Sequence, residues 1–170
     1  MEQARCKTRN TNRMSQTLRE AVHAAAGRDD VRVAIHALYG LVQQEIDRRR
    51  PACQQSGRCC RFDEFGHRLY VTTIELAVFI HELRQIEHSR PSSGLPIFNP
   101  VGGCHFQQAG LCSVHPIRPF GCRIFFCDPS AERWQEEQYE QFHGQIRSIH
   151  DDLGIPYFYV EWRRAVEECL

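Results

Sequence analysis

CHFQQAGLCSVHPIRPFGCRIFFCDP, residues 104–129, holds four cysteines separated by seven, nine and four residues, with two glycines and three prolines among them. Glycine and proline punctuate regular structure. Cys104, Cys112, Cys122 and Cys127 are therefore expected on irregular backbone, which can bend several thiols toward one point. A second group lies upstream in CQQSGRCCRF, residues 53–62, where Cys53 precedes the adjacent pair Cys59 and Cys60. Neighbouring side chains of an extended chain point to opposite sides, so the pair needs either two destinations or a kinked turn.

Outward from these loops the chain reads as helices. Val31, Ile35, Leu38, Val42 and Ile46 recur at helical spacing, and Pro51 stops that helix just before Cys53. Thr17 with Glu20 forms a capping-box pattern for a shorter helix that ends near Gly27. Residues 67–72, HRLYVT, read as a short strand, after which Thr72 and Glu75 open a helix bearing Leu76, Phe79, Ile80, Leu83 and Ile86. Residues 90–103 read as loop. Asp128 before Pro129 starts a further helix, whose stripe of Tyr139, Phe142, Ile146, Ile149 and Leu153 is terminated by Gly154 and Pro156. A last short helix is expected from near Tyr159. The expected fold is mainly α: a small single domain over 15–170, with helices near 31–48, 73–88 and 129–153 around a cysteine-rich, loop-rich centre, plus short β segments. Residues 1–14, with Arg5, Lys7, Arg9 and Arg13 against Glu2, read as a disordered basic arm.

The 170 residues are 42% hydrophobic and 25% charged, an ordinary composition for one globular domain whose core needs no covalent staples. Basic and acidic residues balance at 21 each, so no overall field favours nucleic acid or an anionic membrane. The start of the chain has no apolar signal region, and the longest apolar run, LAVFI at 76–80, is far too short to span a bilayer. A cytoplasmic location is expected. In that reducing compartment nine cysteines point to metal binding or redox chemistry rather than structural disulfides.

Seven cysteines are candidate metal ligands: Cys53, Cys59, Cys60, Cys104, Cys112, Cys122 and Cys127. Cys6 and Cys169 lie near the ends and are read as non-ligands. Gly57, Gly103, Gly110 and Gly121 each sit one or two residues before a candidate, where a positive φ would aim backbone N–H groups at sulfur. Arg58, Arg61, Arg118 and Arg123 flank the cysteines; they cannot ligate a metal but can offset thiolate charge.

Three pieces occur in a fixed order: a loop ending in GxCC (Gly57 to Cys60), a strand leading into a T-x-x-E helix (Thr72 to Glu75), and C-x7-C-x9-C-x4-C containing R-P-x-x-C-R (Arg118, Pro119, Cys122, Arg123). Together they resemble the YkgJ-like cysteine-cluster family, described as a zinc- or iron-chelating domain of CxxCxxCC type. The resemblance covers residues 50–130, the motif core. A literal CxxCxxCC needs a cysteine at position 56, which is Ser56 here. Seven motif thiols cannot furnish two sites of four thiolates each: either one cluster takes four and three thiols serve otherwise, or a second site recruits another ligand. His67, His105 and His115 are the candidates for that role and, more distantly, a cysteine from a terminus.

All-thiolate ligation suits zinc and iron-sulfur clusters alike. Structural zinc sites commonly use paired C-x2-C knuckles, which this chain lacks. The irregular spacing therefore favours an iron-sulfur cluster, [4Fe-4S] in type, over zinc. The expected function is metal binding, serving electron transfer or metal handling, with the metal ion or cluster as partner. Two alternatives remain. The resemblance extends to flagellin lysine N-methylases, larger proteins that share the cysteine motif, which implies methyl transfer; the strand, Gly-rich loop and helix that would hold an adenosyl cofactor are not recognisable here. A structural zinc module presenting its helices to a partner protein is the other. No catalytic triad or paired-carboxylate arrangement is legible, and whether the chain is an enzyme stays open.

Overall fold

Helix α2, Asp29–Arg49, is the element on which the others pack. Its buried residues Val31, Ile35, Leu38, Tyr39 and Val42 fall on one face by the 3.6-residue period, and it contacts the helices α4, α5 and α6 defined below. Each such side chain taken from water contributes about 1.5–3 kcal/mol. Arg50, in the left-handed conformation, ends α2 with its N–H on the Ile46 carbonyl, and Pro51 follows. The structure, a computed structural model, describes residues 16–54, 56–89 and 102–170. The basic arm, Cys6 and most of the 90–103 loop lie outside the described residues.

Before α2 runs α1, residues 16–26, which buries Leu18, Val22, Ala25 and Ala26. Thr17 lies inside this helix rather than capping it. After α2 come the single turn α3, Phe62–Phe65, the strand β1, Tyr70–Thr72, and α4, Thr73–Ser89. From Thr73 through Ile80 every residue of α4 is buried, so this half is enclosed on all sides and not amphipathic. Then follow a hairpin of β2, Gln107–Gln108, and β3, Leu111–Cys112; the short helix α5, Phe120–Ile124; and α6, Glu132–Leu153. Asp128 accepts from Ser130 N–H and caps the 3-10 turn Pro129–Ala131 that leads into α6, and Gly154 at φ 63° ends the helix. The chain closes with β4, Tyr159–Glu161, and α7, Trp162–Cys169.

The fold is mainly α, with the helices near 31–48, 73–88 and 129–153 where the apolar periods put them. Three local readings need correction. The last helix begins at Trp162; Tyr159 instead starts β4, which pairs antiparallel with β1 in the register Tyr70↔Glu161, Val71↔Val160 and Thr72↔Tyr159. The strand read over 67–72 is confined to Tyr70–Thr72, the residues that have a partner in β4. Residues 120–124, read as loop, form α5, because Pro119 supplies the extended residue before the helix and a buried carboxylate caps Phe120.

Candidate functional site

Three segments deliver thiols to one place. The first turns at Gly57, whose φ of 67° lets the chain enter the single 3-10 turn Arg58–Cys60, with Cys60 N–H on the Gly57 carbonyl at 3.1 Å. With three residues per turn, adjacent side chains on this element diverge by about 120°. Cys60 therefore points inward and is buried, while Cys59 is half-buried beside it. The adjacent pair is explained by the kinked turn.

The second segment is anchored to the first: Cys104 N–H donates to the Cys60 carbonyl at 2.7 Å. The β2–β3 hairpin then turns through Ala109 and Gly110, both at positive φ, and carries Cys112 on its return strand. Backbone meets backbone where the two segments touch. A Cβ on Gly57 would stand 2.1 Å from the Gly110 carbonyl oxygen. Gln107 Nε2 clamps the junction by donating to the Gly57 and Gly110 carbonyls at 3.1 and 3.3 Å.

The third segment is α5, which carries Cys122. Its position is set by Glu75, a fully enclosed carboxylate that accepts from Thr72 N–H, Thr72 Oγ1–H and Phe120 N–H at 2.9, 2.8 and 3.0 Å. One side chain thus caps α4 and α5 together. Gly121 lets α5 approach β1, since a Cβ there would meet Leu69 Cδ1 at 2.4 Å.

The neighbouring thiols Cys104, Cys112 and Cys59 drive the Cys60 pKa far up. Cys60 therefore keeps its proton beside them. Cys59 falls to about 6, first through the Cys60 hydrogen bond and then, against burial, through Arg118. Cys112 falls to about 7 through Cys60, aided by Val114 N–H and Arg118. Cys104 is lowered by Cys60, by Phe106 N–H and by the Trp162 indole, whose Nε1 donates to Cys104 Sγ at 3.3 Å. Cys122 moves the other way, raised well above the ordinary thiol by burial and then by the charges of Cys104, Cys112 and Cys59.

The remaining sequence candidates lie elsewhere. Cys53 is exposed, and Cys127 has its sulfur 3.8 Å from Ser56 Oγ, the residue that stands where the motif calls for another cysteine. His67 bonds the Cys59 carbonyl and stacks on Phe125, His105 faces Glu167 across 3.5 Å, and His115 meets Arg118. Arg118 is the cation that acts on the thiols. Arg58 and Arg61 lie over the Phe65 ring, and Arg123 over Tyr39. Trp162, Glu75 and Gln107 carry the site without any signal in the spacing of the cysteines, although Glu75 was already marked as a cap.

No protein-family model, curated protein or solved structure matches this chain. The site is therefore read from its own residues. All eight described cysteines are free thiols. Among the described residues no group of three or more His, Cys, Asp or Glu side chains has the spacing of a ready-made ion site. Cys59, Cys60, Cys104, Cys112 and Cys122 instead lie near enough to shift one another's pKa. Their chemistry is that of soft donors: Cys59, Cys104 and Cys112 are lowered, Cys60 and Cys122 raised, all five are half-buried or buried, and Arg118 acts on Cys59, Cys112 and Cys122. Clustered thiolates in a low-dielectric setting repel each other, and either protons or a metal can neutralise them.

Beside the centre opens a cleft of about 670 Å³ whose lining includes Cys59 and Cys122 together with residues of β1, α5, α6 and β4. Among the described residues no helix is long and apolar enough to cross a membrane.

Proposed function

We propose that this protein is a metal-binding protein whose thiolate centre is built on Cys59, Cys60, Cys104 and Cys112, with Cys122 behind them. The observation that carries the reading is that the loops bearing these thiols are locked together, Cys104 N–H on the Cys60 carbonyl and Gln107 on Gly57 and Gly110, and the lowering of Cys59 and Cys112 to about 6 and about 7 agrees with it. Metal replaces the proton that Cys60 keeps. Zinc–sulfur bonds of about 2.3 Å set thiolates about 3.8 Å apart along a tetrahedral edge, so the thiols of the metal-free centre adjust on loading. Four thiols delivered to one place support one tetrahedral ion, zinc or iron. Trp162 N–H would hold the Cys104 sulfur and Arg118 would offset charge, as outer partners do at thiolate sites.

A second reading, a [4Fe-4S] cluster, is supported by the fifth thiol and by the irregular spacing without C-x2-C. The likeness to YkgJ-like proteins is proposed on the same residues and accords with either load. Electron transfer suits an iron centre, metal handling either ion. Anaerobic purification from iron- and zinc-replete cells, followed by iron, zinc and acid-labile sulfide analysis, separates the readings. One zinc or iron without sulfide supports the single ion, and iron with equal sulfide supports the cluster. Full retention of metal in a Cys60→Ser, Cys112→Ser double variant rejects both.

A further inference from the structure

Three of the exposed large hydrophobic residues gather at one concave place. Tyr70, Phe125 and Tyr159, 38%, 41% and 39% exposed, all line the cleft beside the thiol centre. Aromatic surface of this kind, left uncovered in a hollow of about 670 Å³, marks a binding site for a molecule of cofactor or metabolite size. The rings are pre-positioned. Tyr70 stacks on Tyr159 at 5.1 Å, and His67 stacks on Phe125 at 5.1 Å. Tyr159 is further fixed by a hydroxyl–hydroxyl hydrogen bond to Tyr139.

Charge then selects the ligand. Glu136 and Glu140 line the same cleft one helical turn apart on α6; both are exposed, and neither has an ion-pair partner among the described residues. Like charges at this spacing oppose the helix, and a cation between them relieves that repulsion. Arg68 is the guanidinium of the lining, so the lining carries two carboxylates to one guanidinium. A neutral apolar ligand would satisfy the rings but leave the carboxylates unpaired, and an anion would meet a net negative wall. Ring faces carry negative potential and attract ammonium groups.

We propose that this cleft binds a small organic cation, an alkyl- or arylammonium, between the faces of Tyr70, Phe125 and Tyr159 and the carboxylates of Glu136 and Glu140. The bound molecule lies against Cys59 and Cys122, and so beside the thiol centre. The inference does not depend on that centre holding metal.

The test uses three probes with one skeleton: 3-phenylpropylammonium, 3-phenylpropanol and 3-phenylpropionate. Each is titrated into the full chain by calorimetry, with and without added zinc, and metal content is measured on the same samples. The ammonium is expected to bind saturably and about tenfold more tightly than the alcohol, with the propionate weakest. In a Glu136→Gln, Glu140→Gln variant the preference for ammonium over alcohol should fall to about threefold or less, whereas Tyr159→Ala should weaken both. The two glutamates are exposed, so unchanged circular dichroism of that variant keeps the comparison valid. Equal affinity for ammonium and alcohol, preference for the propionate, or no binding by the folded chain overturns the proposal. Because metal is assayed separately, loss of the metal reading with ammonium binding intact leaves this inference standing, and the reverse outcome rejects it alone.

Discussion

Replacing Gly57 with alanine tests the junction on which the thiol cluster is assembled. Two costs add at this position. The left-handed backbone costs a non-glycine residue roughly 1–2 kcal/mol. The new Cβ would also stand 2.1 Å from the Gly110 carbonyl oxygen and 2.7 Å from Gln107 Nε2, so the loop and the β2–β3 hairpin must separate. Separation removes the two hydrogen bonds of Gln107, about 1 kcal/mol each. The sum is roughly 3–4 kcal/mol. Gly66 supplies the control, because its φ is 66° but nothing lies within 4 Å of an added Cβ. Gly66→Ala bears only the backbone cost, and the entropy lost from the unfolded chain is common to both variants. In a chain of this size 1 kcal/mol moves the midpoint by about 2–4 °C, so Gly57→Ala should melt at least about 4 °C below Gly66→Ala. Thermal unfolding of the reduced, metal-free chain measures this, and titration with a thiol-reactive dye should show faster labelling in Gly57→Ala alone. If the two variants melt together with equal labelling rates, the account of the junction is wrong.

Other outcomes follow from the same geometry. Trp162→Phe keeps most of the buried ring but removes the donor to Cys104, and should lose about 1 kcal/mol in urea unfolding while Cys104 alkylates more slowly at neutral pH. Cys59 and Cys112 have folded pKa values of about 6 and about 7, below the ordinary thiol near 8.5. Their contribution to the metal-free fold is complete above about pH 8.5 and is lost as pH falls through about 7 and then about 6. Cys60 and Cys122, raised instead, stay protonated in the fold and oppose this gain only as the unfolded thiols ionise at about pH 8.5. The urea midpoint should therefore drop between about pH 8 and about pH 6, and a Cys59→Ser, Cys112→Ser variant should make the drop shallower, leaving the part that Cys104 and the lowered histidines, His150 among them, contribute. Metal analysis of single variants should show loss for Cys60→Ser and Cys112→Ser and retention for Cys169→Ser, whose thiol is buried on α7. Cys127→Ser should also retain metal, because its sulfur lies against Ser56 and not against Cys60.

The long helices were legible because burial on one face leaves a period that sequence records: Val31, Ile35, Leu38 and Val42 state it for α2, as Phe142 and Ile146 do for α6. The caps at Thr72–Glu75 and Asp128–Pro129 were legible for the same local reason. β4 was not, since three residues give too short an alternation to be distinguished from the start of α7. Its identity depends on β1, some ninety positions away. Seven candidate thiols were visible as a group, but their division was not. Whether a cysteine joins the cluster depends on where Gly57, Gln107 and Glu75 lock the loops together, and none of these bonds leaves a repeat in the sequence. The glycines show the same limit. Gly57 and Gly110 adopt the expected positive φ, while Gly102 takes it in place of Gly103, and Gly121 is required for close approach and not for its φ.

The bond from Trp162 to Cys104 has a consequence for synthesis. Translation delivers residues at about 5–20 per second from the N-terminus, and the first of the clustered thiols, Cys59 and Cys60, leave the ribosome long before the indole that holds their neighbour. Trp162 also ties its backbone N–H to the Leu69 carbonyl at 2.8 Å, so the stretch carrying the early thiols is buttressed from the far end of the described chain. For several seconds the nascent polypeptide therefore displays uncovered thiols with no finished scaffold around them, open to oxidants and stray ions. The thiols gain their finished surroundings only once α7 has emerged, and a ribosome stalled before α7 would hold them without the indole that covers Cys104.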